Sequence, residues 1–374
     1  MKLMVVAPYF YPKIGGMENY AWTIAKGLKE KYGWEVFAVT SNHEENKYKE
    51  DVIQGIKIYR LPILFKFSNT PINPMWYFSM KKIIAKEKPD AINAHSPVPF
   101  MADIAGAASD NIPFVLTYHA GSMKKNKGLI DMAISAYEST FLKSLFERSD
   151  KIVCYTQEFI DTNLKQFKPK IERITPGVDI ALFNPAKTYV KNKVLFVGRI
   201  EKTSEWKGIK YLLDAMALII KQNDKAILEL VGSGDAVNDF KTYAKQLKID
   251  KQVKFVGPLK GKKLADAYKN TSVLVLPSTS NAESFGMVII EAMASGIPVI
   301  GSDIGGIPQV IDHKINGLLV EPKNSKSLAK AILTLLEDIP YSKTLGKNGY
   351  KKVKDNYDWL TKIELTKEQF PEAL

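Results

Sequence analysis

Two glutamates that stand eight residues apart, Glu283 and Glu291, could bind hydroxyl groups at the two ends of one ligand. Because eight residues make about two turns of an α-helix, a helix through both would place the carboxylates on nearly the same face. The sequence between them predicts a helix start, where unpaired N–H groups and a partial positive charge favour a phosphate. The residues at this start are Ser284, Phe285, Gly286 and Met287. The segment could therefore hold two hydroxyl-rich groups and the phosphates that join them, which is the layout of a nucleotide-sugar.

The elements on either side of this pair would position it. The apolar run 272–277 predicts a buried parallel strand, the run 287–295 predicts a helix that ends at Gly296, and 298–302 predicts the next strand. Taken alone, the same pattern also fits an amphipathic helix between two core strands with Glu291 in solvent, because glutamates are mostly exposed.

The residue order over 278–306, STSNAESFGMVIIEAMASGIPVIGSDIGG, resembles the retaining glycosyltransferases of the GT-B fold, family 4. Their signature is a Glu-x7-Glu pair followed by this helix and a glycine turn. Ser284 departs from the pattern, since the family often has glycine there. The resemblance implies that Glu283 binds sugar hydroxyls at the catalytic centre and that Glu291 binds the ribose hydroxyls. It also implies that the N–H groups of the helix start hold the pyrophosphate.

The length of 374 residues suits two ordinary domains, and predicted strands alternate with predicted helices in both halves. The strands predicted in the first half are 2–8, 34–40, 56–61, 91–95, 113–119, 151–155 and 171–174. Those predicted in the second half are 193–198, 226–231, 252–256, 272–277, 298–302 and 317–320. The longer predicted helices include 16–31, 129–148, 208–222, 236–248 and 325–337. This alternation predicts two doubly wound parallel sheets, whose ligands bind beyond the carboxyl ends of the strands.

The segment ITPGVDIALFNP at 174–185 resembles the interdomain segment of the same family. The resemblance therefore implies an α/β protein of the GT-B fold, with two Rossmann-like domains that face each other across a cleft. We expect an acceptor-binding domain over 1–185 and a nucleotide-sugar-binding domain over 186–350. A C-terminal helix over 351–374 is expected to return to the first domain.

In the first half, Gly15 and Gly16 follow the first predicted strand, where paired glycines allow close approach to the backbone and a helix start favours an anion. They also fit a plain strand-to-helix turn. The resemblance implies that this loop borders the donor phosphate, with Glu18 on the acceptor side. His95 and His119 both end predicted strands. The resemblance implies that His119 supports the reacting centre near the donor sugar and that His95 lies on the acceptor side.

In the second half, Arg199 stands at the carboxyl end of a predicted strand, and Lys207 precedes Gly208 at the next helix start. A planar guanidinium and a flexible ammonium are complementary ligands for a pyrophosphate, although an ion pair with a nearby carboxylate would also explain Arg199. The family shares Gly-Arg followed by Lys-Gly, which implies a donor-binding role for both side chains. It also implies that the backbone of Val256 and Gly257 meets the nucleobase.

No metal or cofactor is expected, and the nucleotide-sugar is a substrate. The sequence contains no Asp-x-Asp motif and no His, Cys and carboxylate cluster with metal spacing. Phosphate charge should therefore be met by Arg199, Lys207 and helix starts. The one cysteine, Cys154, excludes an internal disulfide framework and fits a reducing cytosol. No window approaches eighteen uncharged apolar residues, so no membrane span is expected.

The net charge of +13 comes from 53 basic side chains, of which only four are arginine. Nucleic-acid sites usually favour arginine more than that, so no nucleic-acid partner is expected. Residues 57–88 hold seven basic side chains and one acidic one, together with several aromatic residues. This composition fits a surface that faces anionic lipid, and equally a core helix with a solvated lysine face.

The family resemblance thus implies a retaining, metal-independent hexosyltransferase. It would move a sugar from a UDP- or GDP-sugar to a hydroxyl of a glycan or of a polyprenyl- or other lipid-linked acceptor, in the synthesis of cell-surface polysaccharide, glycolipid or glycoprotein glycans. Three alternatives are soluble sucrose- or glycogen-type synthesis, a non-catalytic nucleotide-sugar-binding protein and a basic nucleic-acid binder. The expected location is the cytoplasm, with peripheral contact on the inner face of the cell membrane.

Overall fold

The computed structural model describes residues 1–13, 15–67, 70–119, 123, 128–185 and 190–370, apart from the side chains of 129, 130 and 158. The chain forms two compact units. The first contains Met1–Pro176 and the residues from Leu360 onward, and the second contains Gly177–Trp359.

These limits differ from the expected ones at 185 and 351. The reason is a contact between two segments that both belong to the second unit. Val178 forms a parallel β-bridge with Asp358, and its N–H donates to the carbonyl oxygen of Tyr357 over 2.7 Å. The second unit therefore includes Gly177 at one end and Trp359 at the other.

The first unit is built on a sheet in which, among the described residues, eight strands have the order β10-β9-β8-β7-β1-β2-β4-β3. Neighbouring strands are parallel except for β3, which runs antiparallel to β4 at the edge. The first four strands are β1 (Lys2–Val6), β2 (Glu35–Ser41), β3 (Lys49–Ile53) and β4 (Ile56–Leu61). The remaining four are β7 (Ala91–Ser96), β8 (Phe114–Tyr118), β9 (Lys151–Cys154) and β10 (Ile171–Glu172). A separate hairpin pairs β5 (Phe65–Phe67) with β6 (Thr70–Ile72).

Apolar burial explains the middle of this sheet. Leu3, Met4, Val5 and Val6 of β1 are all fully buried, which is typical of a parallel strand covered on both faces. The covering helices are α1 (Gly16–Tyr32), α2 (Trp76–Glu87), α3 (Met101–Ala108), α4 (Gly128–Tyr137), α5 (Lys143–Arg148) and α6 (Gln157–Asn163). The last helix, α14 (Trp359–Lys367), packs on α1, where Ile363 fills the space left by Gly27.

The second unit is a parallel sheet in which the described strands have the order β13-β12-β11-β14-β15-β16, the arrangement of a dinucleotide-binding fold. Its strands are β11 (Lys193–Val197), β12 (Ile227–Val231), β13 (Val253–Gly257), β14 (Val273–Leu276), β15 (Val299–Ser302) and β16 (Leu318–Val320). Its first helices are α7 (Ile209–Ile220), α8 (Val237–Gln246), α9 (Gly261–Lys269) and α10 (Met287–Ala294). Three more follow as α11 (Ile307–Val310), α12 (Ser325–Glu337) and α13 (Ile339–Asn356). The predicted α/β class with two parallel sheets is confirmed.

Several local features differ from the sequence predictions. The charged edge strand β3 and the hairpin β5–β6 were not predicted, because neither has a buried apolar run. The predicted helix 129–148 is interrupted by a π-helical turn over Glu138–Leu142. The final predicted helix is divided, since α13 ends at Asn356 and α14 begins at Trp359.

Candidate active site

The loop before α10 holds Glu283 in a buried ion pair. Its Oε2 atom lies 2.6 Å from Nζ of Lys207 and accepts a 3.2 Å hydrogen bond from the Ser278 hydroxyl. Only 7% of Glu283 is exposed. The helix-face argument for the two glutamates was wrong, because α10 begins at Met287, so Glu283 precedes the helix and Glu291 lies about one turn inside it.

Close backbone packing fixes this loop. A Cβ atom on Gly208 would lie 1.9 Å from the carbonyl oxygen of Pro277, so only glycine lets the Lys207 segment come this close to the end of β14. The N–H of Thr279 donates to the carbonyl oxygen of Trp206 over 2.7 Å. On the other side, the N–H of Gly306 donates to the carbonyl oxygen of Glu283 over 2.7 Å. The close backbone packing at Gly208 and Gly306 therefore brings Lys207 and Glu283 together.

The start of α10 offers backbone donors beside this ion pair. The N–H groups of Gly286 and Met287 have no acceptor among the residues that the structure describes. The Phe285 ring is buried and packs edge-on against Tyr357, with 5.7 Å between ring centres, so it anchors the turn. Ser284 lies against Gly306, whose lack of a side chain leaves room for the Ser284 carbonyl oxygen. Unpaired backbone N–H groups at a helix start favour an anion.

Glu291 is partly buried and has one neutral partner. The hydroxyl of Tyr268, a fully buried residue of α9, donates to its Oε2 atom over 2.7 Å. Burial raises the pKa of Glu291 from 4.5 to about 7, and the Tyr268 hydrogen bond opposes that rise. Glu291 therefore does not lie free in solvent. Tyr268 was not identified from the sequence, and no motif in α9 marks it.

Arg199 lies two residues beyond the end of β11, and its side chain is 58% exposed. One guanidinium nitrogen lies 3.6 Å from Oε2 of Glu201, so the ion pair that the sequence left open does form. Exposed pairs of this kind contribute little, and the guanidinium keeps donors available. Val256 and Gly257 end β13, and the Gly257 carbonyl oxygen accepts a hydrogen bond from Gly232 over 3.0 Å.

In the first unit, α1 begins at Gly16, after the loop that follows the carboxyl end of β1. Glu18, in the first turn, is buried, and its carboxylate folds back over Gly15, where an added Cβ would lie 2.1 Å from Oε2. A carboxylate at this position is favoured by the partial positive charge of the helix start. Gly15, Gly16 and Glu18 are therefore neighbours, with the acid lying against the glycine loop.

His95 and His119 form a direct pair at the ends of β7 and β8. Nδ1 of His95 lies 2.8 Å from Nε2 of His119, and the rings stack with their centres 5.1 Å apart. Tyr20 of α1 packs edge-on against His119, with 4.8 Å between ring centres. The Tyr155 hydroxyl donates to the His119 carbonyl oxygen over 2.5 Å. Both histidines are buried, and burial lowers the pKa of His119 to about 3 and that of His95 well below its usual range.

Burial also indicates which nitrogens carry the protons. Nε2 of His95 is buried and has no hydrogen-bond partner within the described ranges. An unpaired buried N–H is rarer than an unpaired acceptor, so the His95 proton belongs on Nδ1, which then donates to Nε2 of His119. His119 must then carry its own proton on Nδ1. His95 therefore contacts His119 directly and fixes the position of its proton. The sequence did not indicate this relation.

Within the described ranges, no group of three or more His, Cys, Asp or Glu side chains could hold a metal ion. Of the helices in the described part of the chain, none is long and apolar enough to cross a membrane.

The chain matches two known family descriptions, one in each half. The sequence matches the family described as Glycosyltransferase Family 4 over residues 14–182 and the family described as Glycosyl transferases group 1 over residues 182–352. The uncharacterized glycosyltransferase MJ1607 of Methanocaldococcus jannaschii is 30% identical over 96% of this chain and 95% of its own length. The two Rossmann-like sheets have the fold of GT-B glycosyltransferases. The chain belongs to the glycosyltransferases of group 1 and family 4.

Solved structures agree on the fold. Sucrose-phosphate synthase from Thermosynechococcus elongatus has a TM-score of 0.80 at 23% identity and covers 98% of this chain and 97% of its own. Anabaena HepE in complex with UDP-glucose has a TM-score of 0.75 at 20% identity, covering 98% of each chain. The predicted GT-B fold is confirmed.

Proposed function

We propose that this glycosyltransferase takes a sugar from a nucleotide-sugar and transfers it, with retention at the anomeric carbon, to a hydroxyl of an acceptor. The observation that carries the proposal is the second unit's cluster around the start of α10. There a buried Lys207–Glu283 pair, the backbone N–H groups of the helix start and the Glu291–Tyr268 pair lie on one short segment and its neighbours. These are groups that bind hydroxyls and a diphosphate without needing further cations.

In this proposal Glu283 accepts hydrogen bonds from the sugar hydroxyls and Glu291 from the ribose hydroxyls. Lys207, Arg199 and the N–H groups of Gly286 and Met287 hold the pyrophosphate. Their positive charge and dipoles stabilise the charge that develops as the diphosphate leaves. Because Lys207 is already held by Glu283 at 2.6 Å, its ammonium is positioned before the ligand binds. The fold shared with HepE, which has been solved with UDP-glucose, supports a donor of this class.

The first unit would supply the acceptor side and support for the reacting centre. His119, fixed by His95 and Tyr20, would offer its Nδ1–H as a hydrogen-bond donor. Since burial keeps its pKa near 3, His119 remains neutral at physiological pH and cannot act as a cationic acid. From family membership we infer retention, with attack on the face of the leaving phosphate. That phosphate takes the acceptor's proton.

We propose a lipid-linked acceptor in preference to soluble sucrose- or glycogen-type synthesis. Exposed side chains of the hairpin and of α2 support this choice: Phe65, Phe67 and Phe78 are 53%, 64% and 58% exposed. Lys82 is exposed on the same helix, and Lys81 beside it pairs with Asp110 at 2.6 Å. Trp76, fully buried, donates to the carbonyl oxygen of Pro62 and so ties the base of the hairpin to α2. Exposed aromatic rings with lysines suit the surface of an anionic membrane.

Sedimentation with vesicles tests this acceptor class. Phosphatidylglycerol vesicles should retain the native protein, and Phe65→Ser with Phe67→Ser, or Lys82→Glu, should reduce retention by at least about fivefold. Lys143→Glu, on α5, changes charge equally and should have little effect. Equal retention of all variants would favour the soluble alternative.

A donor screen tests the proposed reaction. Hydrolysis of UDP-, GDP- and ADP-sugars is measured, and ¹H NMR reports the anomeric configuration of the first product formed. The proposal predicts turnover of one donor class and a product that keeps the donor's configuration. Inversion, or binding without turnover of any donor, would contradict it, and the latter result would favour a non-catalytic binding protein.

A further inference from the structure

The first unit brings three basic side chains to the carboxyl ends of three neighbouring strands. Lys13 lies beyond β1, His43 beyond β2, and Lys66 in the hairpin that follows β4. In doubly wound sheets this edge is where ligands bind. The three residues are called the basic cluster below. Lys66 belongs to the basic segment 57–88, and no sequence motif assigned a role to Lys13 or His43.

The basic cluster is organised around one buried ring. Nζ of Lys13 lies 3.1 Å from the centre of the Tyr9 ring, and Nζ of Lys66 lies 5.8 Å from it. The His43 ring packs edge-on against Tyr9, with 5.6 Å between ring centres. Tyr9 itself is only 3% exposed, so the ring is a fixed support for the basic groups.

The basic cluster lacks the carboxylate partners that neighbouring basic residues have. Arg60, on β4, lies 2.5 Å from Asp51 and also donates to the Tyr11 carbonyl oxygen. In contrast, neither Lys13 nor Lys66 has an ion pair within 4.0 Å among the described residues. Nδ1 of His43 is buried and likewise has no hydrogen-bond partner in the described part of the chain.

Neighbouring charges act on this cluster in both directions. Burial lowers the pKa of Lys13, the Glu18 carboxylate raises it, and repulsion from Lys66 lowers it again. Burial also lowers the pKa of His43, as do Lys13, Arg60 and Lys66, against the effect of Glu44. A bound anion would relieve this repulsion, because it gives both ammonium groups a partner of opposite charge.

We propose that the basic cluster binds a phosphate group, or an anion of the same kind, carried by the acceptor substrate. The inference rests on the proposed function, since it identifies the cluster with the acceptor side of the same enzyme. Lys13 and Lys66 would donate charge-assisted hydrogen bonds to the phosphate oxygens. His43 would hold the Tyr9 ring in place beneath them. The phosphate could belong to a soluble sugar phosphate or to a lipid headgroup, and the shared chemistry is the recognition of a phosphate monoester or diester.

Calorimetric titrations with the full chain test the inference while UDP is held in excess, so that the donor site is occupied. Glycerol 3-phosphate is the soluble probe, and vesicles of phosphatidic acid in phosphatidylcholine are the lipid probe. Lys13→Gln and Lys66→Gln should each weaken binding of one probe at least about tenfold, as expected for a charge-assisted hydrogen bond. Lys13→Arg should restore most of the affinity, and Lys143→Gln serves as the control for a change of net charge.

A separate measurement of UDP binding distinguishes the two possible failures. The lysine variants should bind UDP like the native protein. Absence of UDP binding in the native protein and in the variants alike would count against the proposed function alone. Loss of affinity for the soluble probe indicates a soluble phosphate, and loss for the vesicles alone indicates a lipid headgroup. If neither probe binds, or if Lys143→Gln weakens binding as much as Lys13→Gln, the assignment of the basic cluster is wrong.

Discussion

Replacing Glu291 by glutamine should make the protein more stable at alkaline pH while weakening its binding of the nucleotide. The side chains have the same shape, and the glutamine oxygen can still accept the hydrogen bond from Tyr268 that Glu291 accepts at 2.7 Å. The glutamine, however, carries no charge at any pH. The substitution therefore isolates the cost of ionising this buried carboxyl.

The magnitude follows from the pKa. Burial raises the pKa of Glu291 from 4.5 to about 7, and each pKa unit corresponds to 1.36 kcal/mol, which gives about 3 kcal/mol. The folded protein binds the extra proton, so the stability linked to it is fully present below pH 4.5 and is lost as the pH rises through 7. Glu291→Gln should thus match the native protein near pH 4 and exceed its stability by up to about 3 kcal/mol at pH 8.

Urea denaturation followed by tryptophan fluorescence at several pH values measures this difference. Tyr268→Phe is the matched control, because it removes the donor that opposes the rise in pKa and should make the native pH dependence steeper. UDP binding is measured on the same samples and should be weaker in Glu291→Gln than in the native protein at pH 8, where Glu291 is ionised. A stability difference that stays constant from pH 5 to pH 8 would refute the reasoning, since Glu291 would then titrate alike in the folded and unfolded chains.

Three further predictions follow from the geometry. Gly208→Ala should lower stability by at least about 2 kcal/mol in thermal denaturation and weaken UDP binding, because its Cβ would overlap the Pro277 oxygen; native-like values would show that this turn is not fixed. ¹⁵N–¹H NMR of the histidine side chains should find both His95 and His119 protonated on Nδ1, and His95→Phe should change the His119 pattern; an Nε2–H form of His119 in the native protein would contradict the assigned pair. Glu283→Ala should lower donor turnover at least about a hundredfold while UDP still binds, and an equal loss of both would rule out its assigned contact with the sugar.

Much of the fold could be predicted because its strands are marked by the sequence itself. Runs such as KLMVV and VLVL are buried on both faces, so periodicity and composition suffice to locate them. The hairpin at Phe65 could not be found in this way. Phe65–Phe67 is exposed throughout and Thr70–Ile72 has one buried residue, so neither strand has the buried apolar run that periodicity detects.

The candidate site likewise contains residues that the local sequence indicates and contacts that it does not. Arg199, Lys207, Glu283 and Glu291 stand in local motifs, so the residues around each of them are enough to indicate a role. Tyr268 and the pairing of His95 with His119 depend on which side chains meet between separate elements. No local pattern encodes that meeting, and the basic cluster is likewise formed by residues from three different strand ends.

The most direct test of the account is equilibrium binding of UDP, GDP and ADP to the native protein, Arg199→Ala, Glu291→Ala and Glu283→Ala. We predict that the native protein binds one of these nucleotides, that Arg199→Ala and Glu291→Ala bind it at least about tenfold more weakly, and that Glu283→Ala still binds it. Failure of the native protein to bind any of the three, or equal affinity in all four proteins, would contradict the assignment of the donor site.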